Sequence, residues 1–420
     1  MPVPTSTLKK LVLKPYEGPH GFGAEASGID VNDLTEEQFR DLQRAVYEHK
    51  VVVLKGQGGL LPASQQELGV RFDPETPAEL GHMESVRKNA TIFGLGVTEK
   101  KPTMPTAPKV NLNGSGTFKA GHFGVETDFK LTALDHRGFH KHELSEKQVE
   151  EGHVRFQRWH IDWPAKKDEA YPAPITTIWA HTLPSPEPVT VHWDDGSGLS
   201  MPTRPGATAF IDCSAMYEAL SPEQKQWVDN SLVEYPPTPY SWLRGAKADG
   251  LGLRVFNDGT ETPIEDCPDP DVRNALICPM IWVNPITSAR SLQVHAIIAW
   301  KIHHRTSPTE DYKVIDDLPT VRQMLDDLQR PFVKPDNVFF APTEEGDLLL
   351  FYNRGVRHSA VEFPASRGPR LLHQLQLVAS DAPWAPKRIS GQPYYLDAAP
   401  IKPVKPATTV HTAGLVAVAA

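Results

Sequence analysis

Apolar and polar positions alternate along the chain in short blocks, each of which predicts an element. TEEQFRDLQRAVYEHK (35–50) has Phe39, Leu42 and Val46 at the spacing of one helix face, and Thr35 with Gln38 forms a capping-box pattern at its start. VVVLKGQ follows directly and reads as a buried strand. Residues 154–163, 175–183 (ITTIWAHTL) and 207–212 (ATAFID) predict further strands, and 214–232 (SAMYEALSPEQKQWVDNSL) predicts a helix. ICPMIWVNP and SLQVHAIIAW flank a turn and suit strands, although the second also suits a helix. VIDDLPTVRQMLDDLQRP reads as a helix. EGDLLLFYNRGVRHSAVEF reads as strand, Asn-Arg-Gly turn and strand, and RLLHQLQLV closes the sheet. Two irregular stretches, about 90–150 and 236–276, read as long insertions carrying loops of a site, and 391–420 reads as a surface tail. There is no internal repeat and no βαβ alternation. The expectation is one domain over 1–390, mainly β with flanking helices, built as a sandwich or barrel.

Composition narrows the function. Of 420 residues, 40% are hydrophobic and 23% charged, which suits a globular chain. The net charge is −9 with no basic block, so nucleic-acid binding through a broad basic surface is not expected. Forty prolines argue against a helical bundle. Cys213, Cys267 and Cys278 lie far apart with no CxxC, which excludes a disulfide scaffold and fits a reducing compartment. The first residues lack a signal-peptide run and no segment reaches transmembrane length, so a cytoplasmic protein is expected. Oligomeric state stays open, a homo-oligomer included.

The chemistry gathers in RFQRWHIDWP (155–164). Strand geometry puts His160 and Asp162 on one face with Phe156 and Arg158, while Trp159, Ile161 and Trp163 take the other. Such a pair either holds a metal or is an ordinary polar pair. His358, after the Asn-Arg-Gly turn, is a candidate third ligand. Two histidines and one carboxylate on one face are the facial triad of non-haem iron oxygenases. Arg370 heads a leucine-rich strand and shares a face with Leu372, Gln374 and Gln376. A guanidinium there either meets an anion or lies in water at the strand end. His192 and Asp194 form a second His-x-Asp running into Asp195-Gly196-Ser197-Gly198, which reads as a surface turn. His82 with Glu84 is weaker. GFGAEASG lacks the third glycine of a dinucleotide fingerprint, and there is no P-loop or GxSxG.

Taken in order, these motifs resemble the taurine dioxygenase (TauD/TfdA) family of Fe(II)- and 2-oxoglutarate-dependent oxygenases. GAEASGID is similar to the opening motif, WHID to the first ligand pair, ATAFIDCSAMYEALSP to the threonine-bearing strand, NRGVRHSAV to the distal histidine and RLLHQ to the arginine. The resemblance implies a double-stranded β-helix, or cupin-like jelly roll. It also implies iron held by His160, Asp162 and His358, and 2-oxoglutarate held through Arg370 with Thr208 as a helper hydroxyl. O2 would be the oxidant, with succinate and CO2 released. YPPTPYSW, WVNPITS, LQVH and EGDLLLFYNRGVRHS further resemble fungal 2-oxoglutarate-dependent xanthine dioxygenases, in which Gln374 and Gln376 would read the substrate. The chain departs at Trp163-Pro164, where small residues are expected, and at Gln376, where an asparagine is. Both departures are expected to alter the pocket. Taurine-type enzymes carry a second arginine where Gln374 stands, so the resemblance implies a neutral or zwitterionic small molecule. Xanthine to urate leads; an amino acid or fungal natural-product intermediate undergoing hydroxylation, desaturation or cyclisation follows. A zinc-type hydrolase with the same three ligands and a non-catalytic binding module remain open. YPPTPYSW is either a lid over the site or a packed loop.

Overall fold

Strands that are apolar on both faces belong in the middle of a sheet. Val51–Leu54 and Leu348–Tyr352 are buried at every position, and they pair antiparallel at the centre of an eight-stranded sheet. The structure, a computed structural model, describes residues 10–76, 102–133, 136–163, 171–256 and 258–386. The large sheet runs Val12–Pro15, Ala24–Ser27, Val51–Leu54, Leu348–Tyr352, Ile175–Thr182, Arg370–Gln376, Asn111–Phe118, Phe129–Leu131. Ala24–Ser27 is parallel to Val51–Leu54, and the other neighbours are antiparallel. One face carries Ile178, Ala180, Leu349, Phe351 and Leu372. Against it packs a three-stranded antiparallel sheet, Val338–Phe340, Thr208–Asp212, Val356–Ala360, through Phe210, Phe339 and Val356. The two sheets form the expected jelly roll, and the metal-binding candidates lie at the edge of the space between them.

Both outer faces are covered. The helix Glu36–His49 and its neighbour Pro62–Phe72 lay Phe39, Leu42, Val46 and Leu68 over Ile175, Trp179, Leu348 and Leu350. The expected capping box is present: Thr35 Oγ1 accepts from Gln38 N–H at 3.3 Å, and Gln38 Oε1 accepts from Thr35 N–H at 3.0 Å. Such a cap is worth about 1 kcal/mol. Behind the smaller sheet, Ala209 and Ile211 pack into a core with Trp159, Trp163, Trp193 and Trp282. Among the described residues no helix is long and apolar enough to cross a membrane.

Several elements differ from expectation. Within 154–163 only His153–Val154 is regular strand. Beyond it Phe156 bridges Val361 and His160 bridges His358, four residues on one side against three on the other. The extra residue makes a bulge, which breaks the period-two alternation. Phe156 therefore turns into the core, its ring 4.8 Å from that of Trp159, instead of sharing the face of His160. The helix expected over 214–232 is two, Cys213–Glu218 and Pro222–Asp229, because Ser221 caps the second and Pro222 occupies its first turn. Ser231–Tyr235 is then strand. SLQVHAIIAW gives a strand, Arg290–Leu292, and a 3-10 turn, Ala296–Ile298. The stretch 90–150 is not simply loop, since Asn111–Phe118 and Phe129–Leu131 join the large sheet. Two glycines disguised the first of these. A Cβ on Gly114 would lie 1.8 Å from the Arg370 carbonyl oxygen, so only glycine lets the strands approach. His82, Glu84, Pro164 and 391–420 lie outside the described residues.

Candidate active site

His358 sits in the middle of Val356–Ala360 opposite Phe210, and its ring lies 4.7 Å from Phe351 and 6.2 Å from Phe210. It exchanges both backbone hydrogen bonds with His160, at 3.0 and 3.1 Å. Residues paired in this way carry their side chains on one face, and the two rings are 4.1 Å apart. At the turn before that strand, Asn353 clamps Asp162. Its Oδ1 accepts from Asp162 N–H at 2.9 Å, and its Nδ2 donates to the carbonyls of Asp162 and Ala173, both at 3.0 Å. The Thr176 hydroxyl donates to Asp162 Oδ2 at 2.7 Å. That leaves Oδ1 at 3.6 Å from His160 Nε2 and 3.4 Å from His358 Nε2.

The protonation of this cluster suits a cation. His160 Nδ1 lies 2.9 Å from the Arg158 carbonyl, which only accepts, so Nδ1 carries the hydrogen and Nε2 presents a lone pair. Burial, with His358 alongside, lowers His160 to about 4. Burial alone would push the Asp162 carboxyl up, but the imidazoles of His358 and His160 outweigh it and hold the group well below the usual range. Ligand atoms about 2.1 Å from one ion and at right angles are about 3 Å apart, so three atoms spaced as these are need only a small closing movement. The donor set of two imidazoles and a carboxylate fits Fe(II).

A second cluster fails the same test. His153, His192 and Asp194 bring ligand atoms within 4.8 Å of one another. However, the two rings stack face to face, 3.6 Å apart and 15° from parallel. Lone pairs lying in parallel planes cannot converge on one ion. Asp194 Oδ2 is also already engaged, by Arg155 Nε at 2.6 Å and His153 Nε2 at 3.1 Å. This cluster fastens an exposed turn.

Thr208 pairs with Ala360 and lies on the same face of its strand as Phe210, hence on the face of His358. Arg370 heads its strand in the position expected, and among the described residues no carboxylate pairs with it. Its Nε has no partner among the described residues, and burial lowers its guanidinium to about 10. Gly206, at φ +68°, makes room for it: a Cβ there would lie 3.0 Å from Arg370 Cδ and 3.1 Å from Nε. A part-buried arginine with no carboxylate partner among the described residues, in a chain that also carries a three-ligand cluster, fits a chelating dicarboxylate. The two glutamines fare differently. Gln374 Oε1 accepts from Asn113 Nδ2 on the neighbouring strand. Gln376, only 3% exposed, lies opposite Thr176, and its Oε1 has no partner among the described residues. The Trp163 ring packs in the core, 5.5 Å from Tyr235 and 5.8 Å from Trp282, so this departure does not alter the pocket by pointing its ring there. YPPTPYSW is packed, Trp242 being buried, and the Tyr240 hydroxyl donates to the Trp163 carbonyl at 3.1 Å. Thr176 and Asn353 carry no signal of their roles in the sequence. Asn353 opens the Asn-Arg-Gly turn, and a turn asparagine gives no sign of its distant partners.

A jelly roll with this cluster at the edge of its sheets defines a class of non-haem iron oxygenase, and residues 13–376 match the Taurine catabolism dioxygenase TauD, TfdA family, to which the chain belongs. It is accordingly a 2-oxoglutarate-dependent dioxygenase using Fe(II) and O2. Similar proteins include the α-ketoglutarate-dependent xanthine dioxygenase xanA of Emericella nidulans. It is 37% identical over 378 residues, 89% of this chain and 98% of that one. The α-ketoglutarate-dependent dioxygenase fc-dox of Phomopsis amygdali is 34% identical over 385 residues, 91% and 96% of the two chains. Among solved structures, AAD-2 in complex with Mn(II) and N-oxalylglycine superposes with a TM-score of 0.50 at 15% identity, covering 89% of this chain and 99% of that one, a likeness of fold.

Proposed function

We propose that this dioxygenase oxidises a small neutral or zwitterionic molecule, with xanthine to urate as the leading reaction. His160, Asp162 and His358 would hold the iron as a facial triad, and Arg370 with Thr208 the distal carboxylate of 2-oxoglutarate. The observation that carries the reading is the buried three-ligand cluster combined with an arginine that lacks any protein anion among the described residues. A hydrolase would leave that arginine without a purpose, and a binding module would not need the cluster. When bound, the iron and 2-oxoglutarate activate O2, the co-substrate leaving as succinate and CO2 while the substrate gains one oxygen. The chain's own part is to hold Asp162 by Thr176 and Asn353, fix the His160 tautomer through the Arg158 carbonyl, and offer the Gln376 amide to the substrate. An amide both donates and accepts, which suits a heterocycle edge better than a sulfonate. Three buried free thiols fit a cytoplasmic location.

A natural-product intermediate is the second reading. It is favoured by the tie between Gln374 and Asn113, which removes one of two reading groups. Succinate release measured with purines, amino acids, sulfonates and fungal natural-product intermediates decides. Xanthine should stimulate it with equimolar urate. Stimulation by another class alone would replace xanthine, and no stimulation by any would overturn the reading.

A further inference from the structure

His295 is 1% exposed, and neither of its ring nitrogens has a partner among the described residues. Buried imidazole nitrogens are nearly always satisfied, so two orphans on one ring point to a partner beyond the described residues, and a bound substrate is one such partner. The ring is held firmly. Its backbone N–H donates to the Tyr235 hydroxyl at 3.1 Å, and its carbonyl accepts from Ile298 N–H at 3.1 Å, closing a 3-10 turn. Two residues earlier, Gln293 Nε2 donates to the Val356 carbonyl at 3.0 Å, which fastens this segment to the strand that carries His358. The ring centroid lies 6.5 Å from that of His160 and 6.4 Å from that of Tyr240. Above Tyr240, at 5.6 Å, sits the Arg158 guanidinium, which also lies 5.1 Å from the Phe139 ring. His295 thus stands beside the metal cluster, among aromatic rings and cations.

We infer that His295 is a specificity-determining residue of this site, hydrogen-bonding an electron-rich heteroatom of the substrate, such as a carbonyl oxygen or ring nitrogen. The inference rests on the oxygenase reading above and deepens it. The field agrees: burial first, then Arg158, His160 and Arg357, all disfavour a positive charge on the ring. A neutral imidazole keeps one donor and one acceptor, and among cations the group it meets is best an acceptor. The ring also adds a flat surface on which a planar heterocycle can lie.

The test uses the full chain loaded with Mn(II) and 2-oxoglutarate, titrated in a calorimeter with whichever compound of the succinate survey stimulates release. His295→Leu should weaken that compound at least about tenfold, the loss expected for one buried hydrogen bond, with Mn(II) and 2-oxoglutarate affinities unchanged. In turnover the same variant should release more succinate than product. His295→Gln, whose amide can still donate, should recover part of both effects. Should the leucine variant not fold, His295→Phe takes its place with the same expected losses. Unchanged substrate affinity and unchanged product per succinate in the apolar variants would overturn this inference alone. A survey in which nothing stimulates succinate release would overturn the proposed function, and this inference with it.

Discussion

Arg370 offers the sharpest trial of the co-substrate site. Burial brings its guanidinium from the ordinary 12.5 down to about 10, and no described carboxylate offsets the charge. At 1.36 kcal/mol per pKa unit, that depression corresponds to about 3 kcal/mol held in the protein before any anion binds. A carboxylate received by the planar fork would make two charge-assisted hydrogen bonds of roughly 1.5–3 kcal/mol each, part of which is spent on desolvating the anion. Arg370→Met should therefore weaken 2-oxoglutarate by about 3 kcal/mol, roughly two orders of magnitude in Kd. The same variant should leave the metal-free protein at least as stable as wild type, since it removes an unpaired charge from the interior. Arg370→Lys keeps the charge without the fork and should fall between. Anaerobic calorimetry on Mn(II)-loaded protein reads the first effect, and urea unfolding of the metal-free protein reads the second. An unchanged Kd, or a methionine variant destabilised by more than about 2 kcal/mol, would refute the reasoning by showing the guanidinium already satisfied within the fold.

Three further outcomes follow from the same geometry. His160→Ala, Asp162→Ala and His358→Ala should each abolish stoichiometric Fe(II) binding, whereas His192→Ala and Asp194→Ala should retain it; metal per chain decides, and equal loss at both clusters would undo the assignment. Thr176→Val removes the hydroxyl that orients Asp162 and should cost about 10–100-fold in metal affinity by competition against a chelator, with little change in fold stability. His373 is fully buried, with its Nε2 2.8 Å from His122 Nε2, and burial lowers it to about 3. The unfolded chain takes that proton below about 6.5 while the folded one refuses it, so the stability from this residue is complete above 6.5 and declines by about 1.4 kcal/mol per pH unit beneath. Urea unfolding between about pH 7.5 and 5.5 should lose less in His373→Leu than in wild type, and parallel profiles would contradict the shift.

Local pattern sufficed wherever a segment's neighbours along the chain set its environment. The helix Glu36–His49 begins where Thr35 and Gln38 close their box, and apolar runs alone made Val51–Leu54 legible as a buried strand and Leu348–Tyr352 as a strand. The residue order from His160 through His358 to Arg370 also pointed to one chemistry before any fold was in view. Other features arise only in the folded chain, because strand pairing joins positions far apart in sequence and each partner alters the other's geometry. The bulge between Phe156 and His160 depends on matching four residues against three of a strand some two hundred positions later, and it reversed one expected face. Asn111–Phe118 is strand because Gly114 and Gly116 allow close approach to Arg370 and Pro369, although its own composition reads as loop. The two His-x-Asp pairs look alike as text. Only tertiary structure separates them, converging the side chains of one with His358 and stacking those of the other against Arg155 and His153, since ring orientation and ion pairing are properties of packing.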